Sequence, residues 1–283
     1  MSNLYDPRVA IMSPAEAERQ MEMVKNKRAQ ARRNFLKNVG LAGAGIAAGV
    51  AIQGCGGSYH STPVTSAAGP SETDVLNFAL NLEYLEAEFY SYATTGSPLS
   101  SSVTGGTSTA SGGSAVKFVT PHLADIAAEI ANDEKSHVMF LRNALGGMAV
   151  PEPVINLSAM DGTEPTFLAL ARAFEDTGVS ADGGAATLLT GNNLQYAAQI
   201  LAVEAYHAGN LRLVIIENGQ TVSPTDSEDV PPTEQHFFPV DSNALALIRT
   251  TSEVLAIAYG NSATGTSKGG FFPNGVNGNI NTV

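Results

Sequence analysis

The chain is poor in three features that would each point to a class of protein. Its one cysteine, Cys55, excludes an intrachain disulfide framework and any zinc site built from several thiolates. After Cys55 there are 7 Lys and Arg against 23 Asp and Glu. Such an acidic body repels phosphate backbones, so nucleic acid is excluded as a partner and a hard cation is favoured. No apolar run in this body is long enough, and free enough of glycine, to predict a membrane span.

Basic residues are concentrated in the first 54 residues, which contain 8 of the 15 Lys and Arg. The sequence RRNFLK at 32–37 precedes a Gly/Ala-rich apolar stretch at 39–52, which is the layout of a secretory signal. Its paired arginines resemble a twin-arginine signal, which implies export of a folded protein to the periplasm or cell envelope. We therefore predict an export signal at 1–54, a flexible tether at 55–72 and a folded domain at 73–283.

Two interpretations of Cys55 stay open. The sequence IQGC at 52–55 resembles a lipobox, in which the cysteine becomes the lipid-modified first residue of a lipoprotein, although Gln53 is untypical there. Alternatively, Cys55 is an incidental thiol and the signal is cut later, after residues 66–68. Contact with a membrane is therefore expected only through the signal or through a lipid anchor, and the oligomeric state is not predicted.

Beyond residue 72 the apolar residues recur with helical spacing, which predicts an all-α domain. Residues 94–115 are almost entirely Gly, Ser and Thr and are predicted to be a loop without structure of its own. Residues 148–165 are long enough to cross the end of a helix bundle. Together these features predict a four-helix bundle with a long crossover and an additional C-terminal helix. The predicted helices are 73–93, 121–145, 165–177 (ending at Gly178, with a resumption across 184–190 left open), 193–218 and 241–259.

Two helices carry the same motif, Glu-x-x-His, at Glu134–His137 and at Glu204–His207. Residues three apart share a face of a helix, so each motif offers one carboxylate and one imidazole to the same point. Both motifs lie within apolar stripes, where an unpaired carboxylate would cost several kcal/mol. A buried histidine that is merely hydrogen-bonded is the alternative interpretation for either motif taken alone.

The other two long helices each place a glutamate on an apolar face, Glu83 in the first and Glu175 in the third. One Glu from each of two helices and Glu-x-x-His from each of two others is the ligand set of di-iron and di-manganese carboxylate proteins. We expect Glu134 and Glu204 to bridge two ions, His137 and His207 to bind one ion each, and Glu83 and Glu175 to be terminal ligands. Four carboxylates balance two divalent ions, and oxygen with imidazole ligands favours Fe or Mn over Zn.

Further residues near these positions have two interpretations each. Glu86 is an additional candidate metal ligand, although its position at the edge of the stripe favours a half-solvated flank, and Glu88 is expected to point away. Tyr90 and Tyr206 are candidates for redox chemistry or for supporting a ligand, although aromatic residues at helical spacing usually serve packing. Asp176 is expected to face outward, and the acidic run at 226–229 is expected to be a solvated loop.

The stretches LNFALNLEYLEAEFY, FEDTGVSA, AAQILAVEAYHAGNLR and GGFFPNGVNGN resemble the ferritin-like family that includes desiccation-related proteins of plants and bacteria and fungal sexual-differentiation proteins. The resemblance covers residues 74–280 and implies a ferritin-like bundle with metal binding. The chain departs from the family at Asp182, where Tyr is usual, and at Tyr206, where Arg is commoner.

Two functions follow as expectations. The first is an exported di-metal protein, an oxidoreductase or catalase-like enzyme acting on oxygen or peroxide as a small oxidant, in envelope stress or desiccation protection. The alternative is a non-catalytic metal-binding or structural protein with the same protective role. A metal-free helical stalk is the third interpretation of the bundle.

Overall fold

A computed structural model of the chain describes residues 69–283. The predicted export signal at 1–54, Cys55 and most of the tether lie outside these residues. Within the described range the chain forms six α-helices and no strand, so the prediction of an all-α fold is confirmed. None of these helices is both long and apolar enough to cross a membrane. The helices are α1 (Glu72–Thr95), α2 (Ser101–Thr104), α3 (Leu123–Leu145), α4 (Glu164–Ala185), α5 (Gly191–Glu217) and α6 (Thr251–Ala258).

The four long helices α1, α3, α4 and α5 form the bundle, with α1 packed along α3 and α4 along α5. Helices α1 and α3 run antiparallel, because Asn77 near the start of α1 donates to Met148 just after α3, while Tyr84 further along contacts Arg142. Residues 149–163 cross from α3 to the start of α4. The core between α1 and α4 is aromatic, with the Phe89 ring stacked on Phe167 at 5.5 Å.

Helix α1 begins and ends at residues suited to those positions. Ser71 accepts a hydrogen bond from the Asp74 amide while the Asp74 carboxylate accepts one from the Ser71 amide, which satisfies two otherwise free amides. Gly96 ends the helix in the left-handed conformation that glycine adopts without strain. Between these ends, residues 83–90 are all buried, because α1 is covered on every side.

The prediction that the third long helix ends at Gly178 is wrong, since α4 continues to Ala185. Gly178 is buried inside the helix, where the space for a Cβ atom is taken by carboxylates from α1 and α5. The glycine therefore marks a close approach of side chains within the bundle. In the sequence, a glycine within a helical pattern can mark either the end of the helix or a close approach of side chains inside it, so Gly178 did not distinguish the two.

The C-terminal helix is shorter than the predicted 241–259. The Asp241 carboxylate accepts hydrogen bonds from the amides of Asn243 and Leu245, which holds this part of the chain in a turn. Helix α6 begins only after Thr250, whose side chain forms a capping box with Glu253. The Thr-x-x-Glu sequence at 250–253 was the available signal for this start.

Residues 94–115 were predicted to lack structure of their own, and this is also wrong. They contain α2, and Ser111 forms two backbone hydrogen bonds with the crossover, at Ile155 and Leu157. The Glu88 carboxylate, predicted to point away from the bundle, is wholly buried and accepts hydrogen bonds from the Leu99 amide and the Ser108 hydroxyl. Buried side chains from the bundle therefore attach this polar segment to it.

The acidic run at 226–229 is not a freely solvated loop. Arg172 of α4, 1% exposed, donates two hydrogen bonds of 2.8 and 2.6 Å to Asp229, and Arg249 donates two of 2.9 Å to Asp226. Asp176, expected to face outward, accepts a hydrogen bond of 2.7 Å from Arg212. The Arg172–Asp229 pair attaches the segment after α5 to α4, the Arg249–Asp226 pair joins two parts of that segment, and the Asp176–Arg212 pair links α4 with α5.

Candidate metal centre

Acidic and imidazole side chains from all four long helices meet at one level of the bundle. Helix α1 contributes Glu83, α4 contributes Glu175, and α3 and α5 contribute their Glu-x-x-His pairs. Each residue lies on a largely apolar, buried face of its helix, and the helices close around them. The carboxylates of Glu134 and Glu175 are completely buried, and Glu204 is 1% exposed.

The first group of candidate ligands, hereafter the first quartet, surrounds His137. Its Nδ1 atom lies 3.2 Å from Glu83 Oε2, 3.3 Å from Glu134 Oε2 and 3.4 Å from Glu204 Oε1. One donor atom from each of the four residues lies within 4.8 Å of all the others. Donor atoms bound to one first-row metal at about 2.0–2.2 Å are at most about 4.4 Å apart, so a small contraction brings this quartet to that geometry.

The second quartet surrounds His207 and consists of Glu134, Glu175, Glu204 and His207. His207 Nδ1 lies 3.0 Å from Glu134 Oε1 and 3.2 Å from Glu175 Oε2. Glu134 and Glu204 belong to both quartets, and Glu134 presents one oxygen to each histidine. All six residues of the sequence-derived ligand set are thus brought together, with the two glutamates expected to bridge in the shared positions.

Several oxygens in the cluster are buried without any hydrogen-bond donor, namely Glu83 Oε2, Glu134 Oε1 and both oxygens of Glu204. A buried carboxylate oxygen without a donor is costly unless a cation lies beside it. Three of them, Glu83 Oε2, Glu134 Oε1 and Glu204 Oε1, lie 3.2, 3.0 and 3.4 Å from a histidine Nδ1. The donor set and its unpaired oxygens therefore fit a pair of divalent cations, and the cluster is compatible with binding them.

The pKa values of the clustered side chains also favour the binding of cations. Burial raises the pKa of Glu83 to about 8, and it raises the pKa of Glu204 well above its usual range, with the neighbouring carboxylates adding to the effect. Burial acts on Glu134 too, but the hydrogen bonds and charges of the two histidines outweigh it and lower the pKa to about 2. Although burial disfavours a charged imidazole, these carboxylates raise the pKa of His207 to about 10. The metal-free cluster therefore holds protons that metal ions would displace.

Two residues outside the quartets contact candidate ligands and fix their orientation. The Tyr90 hydroxyl, fully buried, donates a hydrogen bond of 2.5 Å to Glu175 Oε1. Asp133 Oδ2 lies 3.1 Å from His207 Nε2, which directs Nδ1 of the same ring toward the centre. Such outer contacts fix the orientation and tautomer of a metal ligand. Tyr206, the other tyrosine considered from the sequence, is 74% exposed and does not touch the quartets.

Two more carboxylates lie beside the quartets. Glu86 is buried, contrary to the half-solvated position favoured by the sequence, and it lies outside both quartets. Asp182 has a buried oxygen without a donor, and burial raises its pKa to about 7. The sequence showed Asp182 only as a departure from the family pattern, and Asp133 was not among the predicted site residues. The signal for Asp133 was its place beside Glu134, with His207 as an expected ligand that needs an acceptor for its second nitrogen.

Comparison with protein families gives a match over the part of the chain that forms this bundle. A family model described as a ferritin-like domain matches residues 71–217. The range begins at the Ser71 cap of α1 and ends at the last residue of α5, so it contains both quartets. Comparison with curated proteins finds no match.

Proposed function

Because the chain belongs to the ferritin-like domain family, we propose that it binds two Fe or Mn ions between its four long helices and uses them in redox chemistry. The observation that carries the proposal is the pair of overlapping quartets, in which Glu134 and Glu204 are common to both. Two sites that share two carboxylates hold their ions close together. The four carboxylates and two divalent ions also balance in charge, which removes the cost of burying the acids unpaired.

The choice of metal follows from the donor atoms. Carboxylate oxygen with imidazole nitrogen and no thiolate suits Fe and Mn, while Zn binds the same donors without redox chemistry. Calcium and magnesium prefer oxygen ligands and would make little use of His137 and His207. We therefore favour iron or manganese.

A pair of Fe or Mn ions would supply electrons to oxygen, or exchange them with peroxide, as expected of an oxidoreductase or a catalase-like enzyme. The chain contributes the surroundings for such chemistry. Tyr90 holds Glu175, Asp133 holds His207, and apolar side chains such as Ile130 and Ile200 keep bulk water away. The alternative is a protein that binds metal but turns nothing over, which the near-complete enclosure of Glu134, Glu175 and Glu204 favours.

The cellular setting is part of the proposal. The twin-arginine-like sequence at 32–37 supports export of the folded, metal-loaded protein, and the lipobox-like Cys55 supports attachment to a membrane by a lipid. At the cell envelope, a protein that removes oxygen or peroxide would protect against oxidative or drying stress.

The proposal is tested by elemental analysis of protein purified from its exported compartment, followed by optical spectra before and after addition of peroxide. We expect about two Fe or Mn ions per chain and bleaching or turnover with peroxide. Two ions with a spectrum unchanged by peroxide would select the non-catalytic alternative. Zinc as the bound metal would overturn the redox proposal.

A double variant, Glu134→Ala with His137→Ala, tests the site itself. We expect the variant to lose its metal, because it removes a shared ligand and the histidine of the first quartet. The matched control is Asp125→Ala with His122→Asn, which removes an exposed acid and histidine from the first turn of the same helix. Asparagine is chosen because His122 has a positive φ that asparagine tolerates. Full metal content in the first variant would overturn the site.

A further inference from the structure

A surface cleft of about 250 Å³ between α3 and α5 opens directly onto the metal centre. Helix α3 lines it with Ile126, Glu129 and Asp133, and α5 lines it with Val203, Tyr206 and Asn210. Its inner end is formed by His207, which also belongs to the second quartet. The cleft therefore connects solvent with a proposed metal ligand.

His207 lies between the cleft and the centre. Its Nδ1 atom faces Glu134 and Glu175 inside the bundle, while its Nε2 atom faces Asp133 at the cleft. The imidazole is 7% exposed, whereas the Asp133 side chain is 44% exposed. An ion that passes from the cleft into the second quartet must therefore move past this ring.

The charges of the cleft suit a cation. Glu129 and Asp133 are four residues apart on α3, which places both carboxylates on the same face of the helix. No lysine or arginine lines the cleft. Carboxylates that line a concave surface raise the local concentration of cations and speed their capture.

The other cavities that reach the centre are much smaller. One touches Glu83 and is lined mainly by apolar side chains, with a volume of about 20 Å³. Another touches Glu86 and has a volume of about 30 Å³. Such spaces hold about one or two water molecules, which is too little for a cation with its hydration shell. Of these three cavities, the cleft alone combines sufficient size with negative charge.

We propose that this cleft is the entrance through which hydrated divalent cations reach the metal centre, with Glu129 and Asp133 collecting the ions and His207 closing the inner end. This role rests on the proposed function, since it requires that the centre binds metal. It assigns a role to Glu129, and it gives Asp133 a second role beside that of orienting His207. It also accounts for the contact between an exposed carboxylate and a buried imidazole.

The test measures how fast the metal-free protein takes up Co²⁺, by stopped-flow absorbance, alongside the number of ions bound at equilibrium. Cobalt is used because, unlike Fe²⁺, it does not oxidise readily during the measurement. Glu129→Gln removes charge from the cleft without changing Asp133, which orients His207. Asn210→Trp fills the cleft without changing its charge. The matched controls on α5 are Glu217→Gln and Ala198→Trp, both at exposed positions that do not line the cleft.

We expect all variants to bind two ions at equilibrium. At low salt, uptake should slow about tenfold in Glu129→Gln, and this difference should shrink as salt screens the charges. Asn210→Trp should slow uptake at every salt concentration, and the two controls should match the parent. Parental uptake rates in both cleft variants would overturn the entrance while leaving the metal centre intact. Failure of the parent itself to bind Co²⁺ would overturn the proposed function.

Discussion

Gly178 of α4 lies so close to Glu204 of α5 that a Cβ atom at position 178 would be 2.7 Å from Glu204 Oε2. The same Cβ would be 3.3 Å from Glu86 Oε1. Glycine within a helix costs about 0.5–1 kcal/mol relative to alanine. Helix α4 therefore gives up some helix stability at this position, and the space that results is occupied by a carboxylate common to both quartets.

Gly178→Ala should separate stability from metal binding. The methyl group would push Glu204 out of its position, so we expect metal affinity to fall by at least about tenfold. The free energy of unfolding of the metal-free protein should change little or rise by up to about 1 kcal/mol. Isothermal titration with Co²⁺ and urea unfolding measure the two effects. Gly209→Ala in α5 is the control, since no atom lies within 4 Å of its Cβ position and it should gain stability without loss of affinity.

Tyr90→Phe removes the hydrogen bond to Glu175 and leaves the ring in place beside Phe89 and Phe167. Without this hydrogen bond, Glu175 is less firmly oriented, and we expect metal affinity to fall about 10–100-fold. Tyr259→Phe removes another buried hydroxyl, one that donates to Asn281 away from the centre. Both variants should lose about 1–2 kcal/mol of stability by urea unfolding. Equal metal affinities in the two variants would contradict the role of Tyr90.

Four of the six predicted ligands, those of the two Glu-x-x-His motifs, could be found from the sequence because their signal is local, whereas Glu83 and Glu175 were predicted from the apolar faces of their helices. A carboxylate and an imidazole three residues apart, within an apolar stripe, fix both the face and the level of a helix. Glu86 and Glu88 could not be placed in this way. Stripe arguments assume that one face of a helix meets water, whereas residues 83–90 of α1 are all buried. The coverage of α1 depends on distant segments, such as residues 96–116, that have no helical or strand pattern.

Glu88→Gln should change how stability depends on pH. Burial, together with the neighbouring Glu152 carboxyl, raises the pKa of Glu88 to about 8. The folded state therefore keeps this proton between about pH 4.5 and 8 whereas the unfolded state releases it, so this group makes the parent less stable as pH rises through that range. Glutamine removes this dependence. Urea unfolding at pH 5, 6, 7 and 8 should show the variant gaining on the parent toward pH 8, whereas parallel profiles would contradict the assignment. The exposed Glu217→Gln serves as control.

Asp229→Ala should destabilise the protein strongly. It leaves the Arg172 guanidinium, 1% exposed, with only the more distant Asp176 carboxylate at 3.5 Å, and removing one partner of a buried ion pair costs up to about 3–5 kcal/mol. Glu228→Ala in the same acidic run should change little, because Glu228 is exposed. In urea unfolding, the double variant Arg172→Met with Asp229→Leu should recover much of the loss. If Asp229→Ala and Glu228→Ala had equal effects, residues 226–229 would behave as the solvated loop expected from the sequence.

This ion pair was invisible in the sequence for a physical reason. Arg172 and Asp229 are 57 residues apart, and no spacing rule relates a helix to a loop at that distance. What the sequence does contain is an arginine among apolar neighbours in α4, and a buried guanidinium requires a partner. The presence of a partner was therefore predictable, although its identity was not.

Substitutions of Glu83 and Glu86, two acids of α1, should differ in their effect on metal content. Glu83 Oε2 lies 3.2 Å from His137 Nδ1 and belongs to the first quartet, so Glu83→Gln should reduce the bound metal from two ions per chain to about one. Glu86 lies outside both quartets, and burial and the neighbouring carboxylates raise its pKa well above the usual range. Because Glu86 supplies no donor atom to either quartet and glutamine is nearly isosteric with it, Glu86→Gln should retain two ions. Elemental analysis after equilibration with Co²⁺ and gel filtration gives the counts. The reverse pattern would make Glu86 the α1 ligand in place of Glu83.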